Sequence, residues 1–313
     1  MNADRLRAHL PWITLVALMA AVGALDPGFL SPASLVQMTA DIATLFVMAL
    51  GITFVIYIGG IDLSAQSVAN MTTVLATLLL PIAGFWTALL VVLAGTACGV
   101  VSGYVSTRLR VPSFIATLAV GGIALSVGEF ASGQRALSMN AELRARDFGW
   151  MIGTVAGVPD VVFIAGLLLL AALFVERRTV LGRVLKAIGA AEPAAIASGL
   201  PVARYKIAAY AISGTLAAVA GLLFAASLSG GSPTLAEGFL LPAIVAVLVG
   251  GTPLTGGVGS VANTLIGALI VAVIRTAMVY LAVPVQAQQM LFGVVLIVAI
   301  AATIDRSRLG FVK

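Results

Sequence analysis

The sequence predicts an all-α, polytopic transmembrane helical bundle of about ten spans, with broken helices and both termini on the cytoplasmic side. Three observations carry that expectation. Hydrophobic residues make up 61% of the 313-residue chain and charged ones only 9%, whereas a soluble domain keeps about a quarter of its residues charged. Apolar runs of membrane-helix length follow one another without the in–out alternation of barrel strands. Two of the runs are interrupted by similar segments, GGIDLSAQSVAN at 59–70 and GGTPLTGGVGSVAN at 250–263.

Basic residues orient the runs, because Lys and Arg collect in cytoplasmic loops. Arg5 and Arg7 precede the first run, 11–27, and runs at 36–58, 68–84, 86–107 and 112–131 follow. Gly95, Gly99 and Gly103 recur every fourth residue in the fourth run, a stripe that lets helix backbones approach closely. Arg108 and Arg110 mark a cytoplasmic turn before the fifth. The 133–160 loop balances Arg135, Arg144 and Arg146 against Glu142, Asp147 and Asp160, and reads as external. A run at 160–176 returns the chain to a basic loop, 177–206, which holds Arg177, Arg178, Arg183, Lys186, Arg204 and Lys206. Runs at 206–228, 239–250, 260–281 and 286–304 lead to Arg306, Arg308 and Lys313, inside again. The 239–250 run is short for a span of about 20 residues and predicts a broken or half-crossing helix. The whole chain, 1–313, reads as one membrane domain. The first run also fits a cleavable signal peptide, which would leave nine crossings.

The two interruptions share Gly-Gly, two residues, Leu, Ser or Thr, and a closing Ser-Val-Ala-Asn, with two extra residues in the second copy. Matched breaks in two halves of a chain mark transporters and predict an internal repeat. Glycine permits non-helical backbone, and Pro253 withholds an amide. Backbone groups freed this way cannot face lipid, so the breaks must be buried in protein or line an aqueous path. The residues expected at this path or gate are Gly59, Gly60, Asp62, Ser64, Gln66 and Asn70 in the first break. In the second they are Gly250, Gly251, Thr255, Gly256, Gly257 and Asn263. Asp62 and Ser64 have two open roles: capping the next helix, or touching a solute. Glu129 and Arg275 are the other ionisable groups at membrane depth, and snorkelling to the interface is the simpler reading of Arg275.

Several chemistries are excluded. Cys98 is the sole cysteine and His9 the sole histidine, so neither a disulfide framework nor a His-based metal site or triad fits. The +5 net charge reflects cytoplasmic loops rather than a nucleic-acid partner. The only lysines are Lys186, Lys206 and Lys313, none preceded by glycine, so no phosphate-binding Walker loop occurs. No cofactor is expected on this chain, and if transport is driven the energy is expected from another subunit.

Within the basic loop, GAAEPAAIASGLP at 189–201 predicts one short surface helix, with Pro193 near its start and Gly199 past its end. The order of GGIDLS, VPSFIATLAVGGIALSVGE, LGRVLKAIGAAEPAAIASGLPVARYK and GGTPLTGGVGSV resembles the membrane permease of bacterial ABC importers of the ribose type, from about residue 30 to 306. That branch serves ribose, xylose, arabinose, galactose, inositol and related small polar molecules. The resemblance implies alternating access in the bacterial inner membrane with three partners. These are a cytoplasmic ATPase carrying ATP and Mg, a periplasmic solute-binding protein and a second permease copy. It also implies that Glu192, Pro193, Ala194, Ala195, Ser198 and Gly199 engage the ATPase. The chain departs from the family pattern at Ala65-Gln66, where Val-Gly is usual, and at Leu240 and Pro242, where an acidic pair is common. Ala191 stands where asparagine is frequent. A stand-alone secondary transporter or channel, coupled to an ion through Asp62, Glu129 and Arg275, is the alternative function. A membrane-embedded enzyme lacks any recognisable nucleophile–base or metal set.

Overall fold

A computed structural model describes residues 3–303; the C-terminal basic cluster Arg306, Arg308 and Lys313 lies outside the described residues. The helices, in order, are α1 (Ala3–Leu25), α2 (Pro32–Tyr57), α3 (Ala65–Ala83), α4 (Thr87–Arg108) and α5 (Ser113–Ser132). They continue with α6 (Ala141–Ile152), α7 (Asp160–Arg178), α8 (Val180–Ala190), α9 (Glu192–Ala197) and α10 (Val202–Ser227). The last three are α11 (Leu240–Val249), α12 (Val261–Tyr280) and α13 (Val285–Thr303). Each of the ten apolar runs falls on one of these helices. Among the described residues, five helical stretches are long and apolar enough to cross a membrane: 32–57, 65–108, 113–132, 202–227 and 261–280. The 65–108 stretch joins α3 to α4 through a single 3-10 turn at Gly84–Trp86. The protein is thus a multi-pass helical bundle.

Helix α2 is the central post. Ser31 caps it by accepting the Ser34 amide, Pro32 opens it, and every residue from Ile42 to Tyr57 is buried. α10, α12, α11 and α7 surround it. The glycine stripe works as expected: bare Gly95, Gly99 and Gly103 lie against the backbone of α10 at Gly214, Tyr210 and Ile207. A side-chain carbon on Gly99 would strike the Tyr210 carbonyl, with the Ala211 Cα 3.1 Å away. Cys98, on the same helix, is half-buried and unpaired.

The 133–160 loop has internal order that its composition does not announce. Strand pairs Leu137–Ser138 with Gly230–Gly231, and Thr154–Val155 with Val158–Pro159, close it into two short ribbons. Between them Asn140 caps α6 by accepting the Glu142 and Leu143 amides. Arg144 ties α6 to the end of α10 by donating to the Ala226 carbonyl at 2.8 Å. The Arg146 guanidinium beside Asp147 holds that carboxyl below the usual carboxylate range.

If the α4–α10 contact depends on bare backbone, Gly99→Ala will lower the thermal midpoint of the detergent-solubilised protein. Gly122→Ala on α5, where a side-chain carbon meets only open space, will leave it unchanged or raise it, since alanine is the better helix former by about 1 kcal/mol. Equal effects would contradict the packing account.

Candidate functional site

The two interruptions, about 190 residues apart in sequence, meet in the fold. The first is the non-helical stretch between α2 and α3, with Gly59 at φ +69°. The second lies between α11 and α12, with Gly251, Gly256, Gly257 and Gly259 at φ +91°, +75°, +79° and +130°. All five angles are in the region that only glycine adopts freely. The Gly257 amide donates to the Tyr57 carbonyl at 2.9 Å, joining one break to the end of the helix that precedes the other. A Cβ on Gly256 would stand 2.5 Å from the Gly59 nitrogen, and one on Gly59 would stand 3.2 Å from the Thr255 carbonyl oxygen. A third segment enters the same junction. Gly189, near the end of α8, lies bare against the Tyr57 carbonyl and the Gly257 amide, and a Cβ on Gly257 would lie 2.7 Å from the Ala190 nitrogen.

Beside this backbone junction sits a buried charged cluster. Glu176, at the end of α7, is 6% exposed. Its Oε1 accepts Lys186 Nζ of α8 at 2.6 Å and the Tyr57 hydroxyl at 3.0 Å. Its Oε2 accepts the Val261 amide at 3.2 Å. Lys186 also donates to the Gly259 carbonyl at 2.9 Å and stands 4.8 Å over the Tyr57 ring. Val261 is the first residue of α12, so the Glu176 carboxylate answers an amide and a helix dipole that the break leaves open.

The first break is equally saturated. Asp62 is 1% exposed. Its Oδ1 accepts the Ser64 amide at 2.9 Å and the Ser64 hydroxyl at 2.6 Å, and its Oδ2 accepts the Ser213 hydroxyl of α10 at 2.6 Å. Thr117 accepts the Leu63 amide at 3.1 Å and donates to the Ile61 carbonyl, while Ser113 accepts the Ile61 amide. Neither residue expected as a cap bonds an amide within α3: Asp62 accepts the amide of Ser64, which precedes the helix, and Ser64, whose backbone is already helical at φ −82° and ψ −19°, makes no cap bond. Tyr210 covers Gly60.

The matched asparagines part company. Asn70 is buried, and its Oδ1 accepts the Ala236 amide at 2.6 Å, pinning the segment before α11. Asn263 is half-buried, and its backbone carbonyl lies under bare Gly250. Gln66 accepts the Leu240 amide at 3.3 Å and so caps α11. Two positions that depart from the family pattern therefore touch each other. Thr255 is exposed, and so is Gly251.

The short surface helix forms as expected, as α9, with Pro193 in its first turn and Gly199 beyond its end at φ +77°. Pro193, Ala194, Ala197, Ser198 and Gly199 are exposed. Ala195 is buried and faces the bundle. Ile196, which nothing in the sequence singles out, is 58% exposed at the tip. Glu192 points away from this face: both its oxygens accept Lys206 Nζ of α10 at 2.7 Å.

Residues 34–300 match a protein family described as the branched-chain amino acid transport system / permease component. The chain belongs to that family. The permease is also similar to the ribose import permease of Escherichia coli K12, 36% identical over 92% of this chain and 91% of that one. It resembles the L-arabinose ABC transporter permease of Azospirillum brasilense, 31% identical over 92% and 85% of the two chains. The xylose transport system permease of Escherichia coli K12 is 41% identical over 48% of this chain and 38% of its own. No solved structure matches. The permease is a transport protein rather than an enzyme, and among the described residues no three His, Cys, Asp or Glu side chains are grouped to hold a metal.

The structure brings Gly59 of the first break against Gly256 and Gly257 of the second, with Lys186 of the basic loop beside them, while Gln66 and Asn70 contact the opposite end of α11. Arg275 and Glu129 are not at the junction of the breaks. Nothing local marks Glu176, an acid at the end of an apolar run; its partners lie 10, 85 and 119 residues away. Removing one partner of a buried pair costs about 3–5 kcal/mol. Glu176→Ala should therefore destabilise the permease strongly in detergent unfolding. Adding Lys186→Met should recover a large part of the loss; a double variant no better than the single one would show that the pair is not the cause.

Proposed function

We propose that the permease is the membrane-spanning subunit of an ATP-driven importer for a sugar or similar small polar solute in the bacterial inner membrane. Its relatives over most of the chain are permeases for ribose and arabinose. Ten crossings with both termini in the cytoplasm place α9 and the two breaks on the cytoplasmic side. There, two permease copies work with ATPase subunits that carry ATP and Mg, and a periplasmic binding protein delivers solute from outside. The breaks at 59–70 and 250–263 are the matched elements of the gate.

One observation carries this reading: the segment proposed to receive the ATPase is wired to both breaks. Along the first route, Glu192 of α9 grips Lys206 of α10, whose same face carries Tyr210 and Ser213 onto Gly60 and Asp62. Along the second, α8 reaches the other break through Lys186 and Gly189. Rigid helices linked to two glycine-rich breaks form a device that can pass a small displacement at α9 to the gate. Closure of the ATPase pair on ATP supplies that displacement.

The alternative of an ion-coupled, stand-alone transporter required Asp62, Glu129 and Arg275 to act together. Asp62 is instead engaged by Ser64 and Ser213, and Arg275 stacks on Phe239. No observation favours that reading.

In proteoliposomes, uptake of a labelled pentose should require the ATPase partner, ATP and the binding protein. Uptake that persists without ATP and follows an ion gradient would overturn the proposal. With Cys98 replaced, a cysteine at Ala194 or Ala197 should cross-link to the ATPase while one at buried Ala195 should not. No cross-link at either exposed position in an active complex would refute the docking role of α9.

A further inference from the structure

Arg275 lies 14 residues into α12, about 21 Å along a helix of about 30 Å. It has not snorkelled clear of the protein. Its guanidinium stacks 4.7 Å over the Phe239 ring, and no hydrogen bond or ion pair engages it among the described residues. It lines a cavity of about 280 Å3 together with Asp41, Met38 and Thr276. Asp41 Oδ1 accepts only the Gln37 amide at 2.8 Å, and Oδ2 accepts nothing among the described residues. A half-buried guanidinium and an exposed carboxylate, both with unused bonding capacity, thus share one cavity.

We infer that this cavity between α2, α12 and Phe239 is a solute subsite for an uncharged, polyhydroxylated molecule of monosaccharide size. The inference rests on the sugar-import reading and deepens it. Guanidinium N–H groups donate to hydroxyl oxygens, and the carboxylate accepts from hydroxyl hydrogens, so the pair can bridge neighbouring hydroxyls on one ring. The two charges cancel, which disfavours both anions and cations relative to a neutral solute. The volume is at the lower edge of small-molecule pockets, roughly 300–1,000 Å3, and suits a single sugar unit. Phe239 holds the guanidinium from below through its ring face. Phe239 also immediately precedes α11, whose other end, about 15 Å away, opens into the second break at Gly250. Occupancy of the cavity is therefore read by the helix that leads to the gate.

The test uses the full chain in lipid nanodiscs, with saturation-transfer NMR of D-ribose, D-xylose, L-arabinose and ribose 5-phosphate. The same variants are assayed for uptake in the complete complex. Wild type should show transfer to at least one neutral pentose and none to the phosphate. Binding should weaken roughly tenfold or more in Asp41→Asn and Arg275→Gln, the loss expected for a hydrogen bond to a charged group. Arg275→Lys, which keeps the charge but not the fork, should recover only part of it. ATPase activity stimulated by the binding protein should persist in variants whose uptake falls, a split that a misfolded bundle would not give. Pentose binding and uptake unchanged in Asp41→Asn and Arg275→Gln would overturn the subsite while leaving the importer reading intact. Binding that depends on Arg275 without any ATP-driven uptake would do the reverse. Transfer to no pentose, or to ribose 5-phosphate in preference, also overturns it.

Discussion

A helix interrupted inside a membrane must find partners for its freed amides and carbonyls within the protein, because lipid supplies none. The rest of this structure depends on how that demand is met. The first break is satisfied by side chains from α5 and α10, and by Asp62 folding back on its own chain. The second is satisfied by Glu176 and Lys186, one on each side of the α7–α8 turn, and by the carbonyl of Tyr57. Neither break supplies all of its own partners, so neither can move without moving its neighbours. The obligation to satisfy backbone groups becomes mechanical coupling.

The coupling is asymmetric in kind. At the first break it runs through hydroxyl and carboxylate side chains along one face of α10. At the second it runs through bare backbone contact at Gly189, Gly256 and Gly257, backed by a buried ion pair. Backbone contact transmits a shift with little slack, since no rotamer can absorb it. The buried pair is costly to assemble and costlier to break from one side, which ties α7, α8 and the start of α12 into one unit. The exposed face of α9, with Ile196 at its tip, is continuous with both routes.

Much of this was legible in the sequence, for local reasons. The apolar runs became helices, the glycine stripe of α4 became a close helix contact, and Pro193 and Gly199 bracketed α9 as their backbone preferences require. The breaks were legible because glycine and proline declare themselves without a partner. The groups that were not legible all act across long separations. Glu176 reads as an unremarkable acid until Tyr57 and Val261 arrive beside it, and Arg275 reads as a snorkelling side chain until Phe239 and Asp41 do. Ser64 looks like a cap because serine caps helices well, but its backbone is already helical rather than extended, and its hydroxyl donates to Asp62 instead of accepting a helix amide. Ala195 is expected among the docking residues by resemblance, yet on a helix this short one face turns inward and buries it. The asparagines at 70 and 263 match in sequence but diverge in surroundings, because the two-residue insertion makes Ser260 the cap of α12 and leaves Ser67 inside α3.

The central claim is that α9 and the second break move as one body. Spin labels at the exposed positions Ser198 and Thr255, measured by electron–electron dipolar spectroscopy in the ATPase-bound complex, test it most directly. The account predicts that the Ser198–Thr255 distance is the same with and without trapped ATP, while the distance between Thr255 labels on two copies changes. A Ser198–Thr255 distance that shifts with ATP as much as the distance between copies would contradict it.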